Sequence, residues 1–292
     1  MQNTLQTLLG VTIAIFMAGS LLEMGLKLDL RKATSAFADI RFMLTALVWS
    51  FAIGPALAVL LAKIVPLAEP YALGLILLGL APCAPFVPLL SEKAGADLNH
   101  VAAYLLLASV GTLIALPLAI PVLAPQLSAD ARTIARPLVL FIALPLALGI
   151  SIRLAASAFA EKAHPVVKKI TGVDIALMLA IVMVLYWRDF LGAVGSFAMA
   201  TQILYYCLLA MGAYVLAFGL SHEKRSTLVL GLCTRNVGAA AAPLLSVPGS
   251  DRRAMVMCIM AVFVTFGVGF ATAHLLGRSD PARKPVAGSG LR

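Results

Sequence analysis

Charge is scarce in this sequence. Only 12% of its 292 residues are Asp, Glu, Lys or Arg, and 13 acidic side chains face 22 basic ones. A soluble domain carries about a quarter charged residues, so a water-facing surface of ordinary composition is excluded. The carboxylates within the apolar runs are too few to build an acid–base set, and no nucleophile–base set accompanies them. This argues against a membrane enzyme. Histidine occurs four times. His100 and His164 fall in expected loops, His222 in a charged loop beside Glu223, Lys224 and Arg225, and His274 at an expected interface. None shows ligand spacing, so no metal is assigned. Cys83, Cys207, Cys233 and Cys258 all lie in apolar runs without CxxC spacing, which gives neither a zinc site nor a disulfide framework. The net charge of +9 comes mostly from basic residues in short connections, not from a stripe interleaved with aromatics, so nucleic acid is not an expected partner.

What remains is apolar. Hydrophobic residues make up 62% of the chain and the mean hydropathy is +1.01. Stretches of roughly 20 residues, enough to cross a hydrocarbon core, recur throughout. Nine spans are expected, at roughly 4–25, 42–64, 71–91, 100–123, 134–154, 170–187, 198–219, 226–247 and 254–276. The fold class is an all-α polytopic membrane protein, with one transmembrane domain over 1–276. The polar stretch 277–292 is read as a disordered cytoplasmic tail. The first run is read as a retained span, because Lys27, Arg31 and Lys32 follow it and no base precedes it. Only Lys63, Arg132, Arg136, Arg188, Arg252 and Arg253 fall in connections on the opposite side. The positive-inside rule then puts the N-terminus outside the cell membrane and the C-terminus in the cytoplasm.

Two spans differ from the rest. The third contains LAPCAPFVPLL, with Pro82, Pro85 and Pro88 close together; the eighth contains CTRNVG, with Gly238, followed by Pro243. Proline removes a backbone donor and clashes with the preceding turn, so these helices must break. Freed backbone groups then have to face protein or a wet cavity. Each broken span is third in a set of four, spans 1–4 and 6–9. Five spans separate equivalents, so the two sets run in opposite directions, which is the layout of an inverted-repeat transporter. The eighth span also carries Arg235 inside its apolar run. A lone guanidinium at that depth costs about 2.5–3.5 kcal/mol on insertion scales.

MGLKLDLRK after the first span, GLILLGLAPCAP in the first break and GLCTRNVGAAAAPLL in the second resemble the bile acid:sodium symporter family. The resemblance covers about residues 5–276 and implies a panel domain and a core domain of crossed, broken helices. It implies a secondary transporter of organic anions, either bile acids or smaller carboxylates, working by alternating access. It also identifies a departure. Sodium-coupled relatives place an acidic residue where Gly231 stands and a glutamine where Arg235 stands, while small polar crossover residues align with Val87 and Pro88. Hard cations need converging oxygens, so sodium coupling does not carry over and the coupling ion stays open between sodium, proton and none.

Arg235 then stands where a cation would be, offering its fork to an anionic substrate beside the half-helix that begins near Asn236. Thr234, Asn236, and Ser109 with Thr112 one turn apart on span four, are expected substrate contacts. Pro82, Cys83, Pro85, Pro88, Cys233 and Gly238 are expected to form the crossover. The alternative is that Arg235 is structural, paired with freed backbone carbonyls or with an acidic residue, Asp174 or Glu23. Asp174 could take part in proton coupling, but it stands near Lys168 and Lys169, which favours an interfacial position over a buried relay. Two other functions compete. Cys83 and Cys233 at crossing breaks would suit a soft ion, as in arsenite exporters of a distantly similar superfamily, and the same fold could serve a non-transporting sensor. The small organic anion and the bilayer are the expected partners; oligomeric state is not legible.

Overall fold

Caps and prolines set where the helices begin. In the computed structural model, which describes residues 2–127, 130–247 and 249–279, no strand occurs among the described residues. The helices are α1 (Gln2–Lys27), α2 (Leu30–Phe37), α3 (Ile40–Val48), α4 (Gly54–Ile64), α5 (Glu69–Leu80), α6 (Val87–Ala94) and α7 (Leu98–Leu123). They continue as α8 (Ala131–Leu138), α9 (Leu144–Ala155), α10 (Ser157–Gly195), α11 (Ala198–Leu216), α12 (His222–Leu232), α13 (Val237–Ser246) and α14 (Arg252–Ser279). Asp29, Asp39, Asp97, Asp130 and Ser221 each accept a hydrogen bond from a first-turn N–H of α2, α3, α7, α8 and α12. These side chains satisfy donors that a helix start leaves bare.

Seven stretches are long and apolar enough to cross a membrane: Thr4–Lys27, Ile40–Ile64, Leu98–Leu123, Ala131–Ala155, Ser157–Ala193, Ala198–Leu216 and Arg252–Ser279. Two shorter apolar helices, Glu69–Leu80 and Val237–Ser246, lie in the runs expected to break. Wide π-turns at Trp49–Ile53 and Val139–Ala143 join α3 to α4 and α8 to α9. Pro55 and Pro145 follow these turns, and neither can supply the N–H that a regular turn would use. α10 starts at Ser157, far earlier than hydropathy suggests, because a helix reaching beyond the apolar layer can carry Lys162, Lys168 and Lys169. His164 therefore sits in a helix, 3.6 Å from Glu23, and not in a loop. At the other end α14 extends to Ser279, so Gly277–Ser279 are helical; the rest of the expected tail lies outside the described residues.

α1 packs most extensively on α9 and α10, while α14 packs on α5, α6, α11 and α13. Glycines allow the first contact. A Cβ on Gly25 would lie 2.7 Å from the Leu146 carbonyl oxygen, and one on Gly149 would lie 2.6 Å from that of Leu22. Two backbones meet there with no side chain between them. Ile64, Val122, Val173 and Leu191 are exposed, as side chains facing lipid are.

A charged cluster ties the starts of α3, α7 and α12 together. Lys224 Nζ lies 2.6 Å from Asp39 Oδ2, and His100 bridges Asp97 Oδ2 at 2.8 Å and Asp39 Oδ2 at 3.3 Å. His100 is thus a buried residue in the first turn of α7, not a solvated loop residue. The Lys224 ammonium, with help from the Phe42 N–H and His100, holds the Asp39 carboxyl down at about 2.

Candidate functional site at the crossing of two broken helices

The two breaks meet. α5 stops at Leu80 and α6 begins at Val87; α12 stops at Leu232 and α13 begins at Val237. The intervening segments run antiparallel, bridged at Pro82 and Arg235. The Cys83 N–H donates to the carbonyls of Gly231 and Thr234, both at 3.1 Å, and the Asn236 N–H donates to Ala81 at 3.0 Å. The Ala84 N–H donates to Thr234 Oγ1 at 3.3 Å, and that hydroxyl lies 2.9 Å from the Leu230 carbonyl as donor. Backbone groups freed by breaking a helix in an apolar layer must find partners within the protein, and here each break supplies the other.

The crossover residues take distinct parts. Cys83 has φ of 60°, a left-handed turn that carries the chain past Arg235. Pro85 lines the space beside the crossing, and Pro88 falls in the first turn of α6, where its missing N–H costs nothing. Cys233 closes α12 with its thiol 3.5 Å from the Leu230 carbonyl. Asn236 caps α13, its Oδ1 accepting from the Ala239 N–H at 3.1 Å. Gly238 lies under Met17 of α1 with no room for a Cβ. Pro243 stays inside α13 and does not break it.

Arg235 is 1% exposed, the largest fully buried side chain of the described residues. Its guanidinium stacks over Tyr205 of α11, 5.1 Å from the ring centroid, and Nη1 makes one long contact of 3.5 Å with the Gly79 carbonyl. Nε and Nη2 have no hydrogen-bond partner. Tyr205 is fixed in turn by its hydroxyl, which donates to the Gly54 carbonyl at 3.1 Å beside the first π-turn. The expected ion pairs are not formed: among the described residues no carboxylate lies within ion-pair distance of Arg235. Glu23 lies 3.6 Å from His164 Nε2 instead. Asp174 is not solvated either. It is 6% exposed, and its Oδ2 is buried without a partner. It belongs to the buried stripe Thr171, Asp174, Met178 and Ile181, spaced at helical repeats on one face of α10.

A narrow crevice opens beside this guanidinium, lined by Phe16 of α1, Ile175 of α10, and Phe86, Arg235, Asn236 and Thr265. Its free volume is about 10 Å³, room for about one water. A second cavity of about 280 Å³ lies along the same side of α1, walled by Ala14, Met17, Pro137, Phe141, Leu245 and Ser246. Of the expected substrate contacts, Arg235 and Asn236 reach the crevice. Thr234 does not, its hydroxyl being committed within the crossing. Ser109 and Thr112 are buried on α7 but do not line it. Sequence reading missed Tyr205, Thr265 and Phe16. The pair Tyr205–Tyr206 with Gln202 one turn before is the trace it left, polar side chains on an apolar helix.

Gly231 has no room for a side chain. A side chain at Gly231 would collide with the Tyr104 ring, whose hydroxyl is 2.7 Å from that of Ser50. Among the described residues no three His, Cys, Asp or Glu come together as a metal site would require.

Residues 12–192, well over half the chain, match the family model described as Sodium Bile acid symporter family. The chain belongs to that family. Members are membrane transporters, not enzymes, and the multi-pass helical architecture accords with it. The matched segment ends before α12 and α13, so the break that carries Arg235 lies beyond it. No curated protein matches the chain.

Proposed function

We propose that this protein is a secondary transporter of an organic anion, a carboxylate or bile-acid-like solute, that binds its substrate at Arg235 and works without a bound sodium ion. The observation that carries the reading is a buried guanidinium with two unpartnered nitrogens, on a residue that lines a narrow crevice. An isolated buried cation with idle donors is costly, and such groups in membrane helices mark substrate paths. The fork of an arginine accepts a carboxylate at two points. The N-terminus of α13, capped by Asn236, adds positive partial charge on the same side. Sodium is disfavoured by the same residues, since Tyr104 fills the space above Gly231 and a fixed charge stands at position 235.

The chain would cross the membrane nine times, counting the two interrupted helix pairs, with its N-terminus outside and C-terminus in the cytoplasm. Residues 1–276 would form the transporter domain, as two inverted repeats. α1, α9 and α10 would form the panel, and the crossed helices with their neighbours the core. The crevice then lies on the seam between them, because Phe16 and Ile175 come from one group and Arg235, Asn236 and Thr265 from the other. With room for about one water, it holds no carboxylate until the seam parts, which is the movement alternating access requires. A soft-ion exporter is less well supported: both thiols are buried in packing contacts, with Cys233 turned to its own helix. The test is uptake of labelled cholate, pyruvate and lactate into proteoliposomes in potassium and in sodium salts. Saturable uptake of one of them in potassium, lost in Arg235→Gln, is expected. Uptake that persists in the variant, or requires sodium, overturns the reading.

A further inference from the structure

Hydrogen-bond donors outnumber their acceptors around the crevice. Thr265 of α14 is fully buried, and its Oγ1 has no hydrogen-bond partner among the described residues. The Tyr206 hydroxyl of α11 lies near it, equally buried and equally unpartnered. Arg235 adds Nε and Nη2. Asn236 commits its Oδ1 to the Ala239 N–H and keeps its amide nitrogen as a donor. Arg235, Asn236 and Thr265 all line the crevice, and the remaining side chains of its wall are apolar.

The surrounding protein supplies no negative charge. The titratable groups that the field of Arg235 reaches are Cys83, Cys233, Tyr104, Tyr205 and Tyr206. Thiols and phenols are neutral at physiological pH. Among the described residues no carboxylate lies within ion-pair distance of the guanidinium. Spare donors around one buried cation, without a counter-charge, are the surroundings an anion needs. The size of the crevice then selects the anion. Its free volume of about 10 Å³ admits about one water. A carboxylate, a sulfate or a phosphate is polyatomic, whereas a halide is a single atom; a water fits too but neutralises nothing.

We propose that Arg235, Asn236 and Thr265 form a chloride site, filled when the seam is shut, and that the transporter exchanges its organic anion for chloride. This rests on the anion site proposed above and names what holds that site between substrates. Both anions compete for one guanidinium. The carboxylate crosses in a seam widened around it, and chloride crosses in the shut seam. Arg235 is then neutralised in either crossing, while a bare guanidinium, costly at this depth, does not cross. One carboxylate moves one way and one chloride the other, R–COO⁻(out) + Cl⁻(in) → R–COO⁻(in) + Cl⁻(out), and the cycle moves no net charge.

Two measurements test this. The first is the melting temperature of the purified protein in potassium methanesulfonate, an anion too large for the crevice, with chloride added at constant ionic strength. The wild type should melt higher as chloride rises, logarithmically once the dissociation constant is passed. Arg235→Gln should show no such rise. Thr265→Val, which loses one hydrogen bond to an ion, should need about tenfold more chloride, and Thr265→Ser should restore the wild-type response. A wild-type melting temperature that ignores chloride overturns the proposal; if cholate, pyruvate or lactate still stabilises the protein through Arg235, the anion site stands without it. The second is uptake of radiolabelled chloride by proteoliposomes, which needs no organic substrate. Uptake into vesicles loaded with chloride should exceed uptake into vesicles loaded with methanesulfonate, and Arg235→Gln should abolish the difference. A carboxylate that stabilises the protein should replace chloride inside the vesicles in this role. Equal uptake whatever the vesicles hold overturns the exchange. Chloride binding and chloride exchange without flux of any carboxylate would support the chloride site and count against the organic-anion reading alone.

Discussion

Arg235→Met separates a residue kept for its ligand from one kept for the fold. The substitution removes the stacking on Tyr205, worth about 2 kcal/mol for a desolvated pair, and a long contact with Gly79 worth at most about 1 kcal/mol. It also removes two buried nitrogens that have no partner, each costing about 1–3 kcal/mol. Methionine fills most of the same space with an adaptable apolar chain. The balance favours the variant by about 1 kcal/mol, in line with the general finding that a well-packed apolar group can replace a buried charge without loss. The backbone bridge at position 235 is unaffected, since it uses main-chain atoms. In a thermal melt of the ligand-free protein in detergent, Arg235→Met should melt higher than the wild type, by roughly 3 °C, and should no longer respond to carboxylates. A loss of 2 kcal/mol or more would mean that Arg235 holds the crossing together, and the account of an idle cation would fail.

Asn236→Ala removes the cap of α13 and should cost about 1 kcal/mol, with a lowered melting temperature and weaker anion response, since the half-helix start borders the crevice. Gly231→Glu should not create a sodium response: the Tyr104 ring occupies the space, and displacing it should destabilise by about 1–3 kcal/mol, read as a melting temperature independent of sodium. Asp39 gives a pH signature. Its carboxyl is held at about 2, below its ordinary range, first by the Lys224 hydrogen bond. A depressed value means that the stabilisation is fully present above about pH 4 and is lost as pH falls towards 2. Asp39→Asn should lower stability by about 1 kcal/mol at neutral pH and flatten the acid limb of the stability curve; an unchanged limb would show that the Lys224–Asp39–His100 cluster contributes nothing.

The breaks were legible because they rest on local chemistry. Three prolines in seven residues, and CTRNVG in a greasy run, dictate a failed helix wherever they occur. What the failed helices do with their freed backbone was not legible, because Cys83 finds Gly231 and Thr234, and Asn236 finds Ala81, across about 150 residues of chain. Arg235 was conspicuous, and of the partners expected for it a backbone carbonyl is met, at Gly79, but not a carboxylate. Charge-pairing logic pointed to Glu23 and Asp174, whereas the guanidinium rests on an aromatic face and a carbonyl, which carry no charge to count. The burial of Asp174 was not legible for a related reason: Lys168 and Lys169 suggested a span end, but α10 runs on through them as a helix from Ser157. Hydropathy sees where a segment could stop being apolar, not where its helix stops. Thr234 was correctly singled out, though its hydroxyl serves the crossing and not the crevice.

The most direct test of Arg235 as a sodium-independent anion site is the apparent melting temperature of the purified protein against cholate, pyruvate and lactate, in matched sodium and potassium salts. A ligand that binds only the folded state raises that temperature by mass action, about 2.7 kcal/mol at a hundred times its dissociation constant. The account predicts that one carboxylate stabilises the wild type equally in both salts and leaves Arg235→Gln unmoved. Stabilisation that appears only in sodium, or that survives in Arg235→Gln, would contradict it.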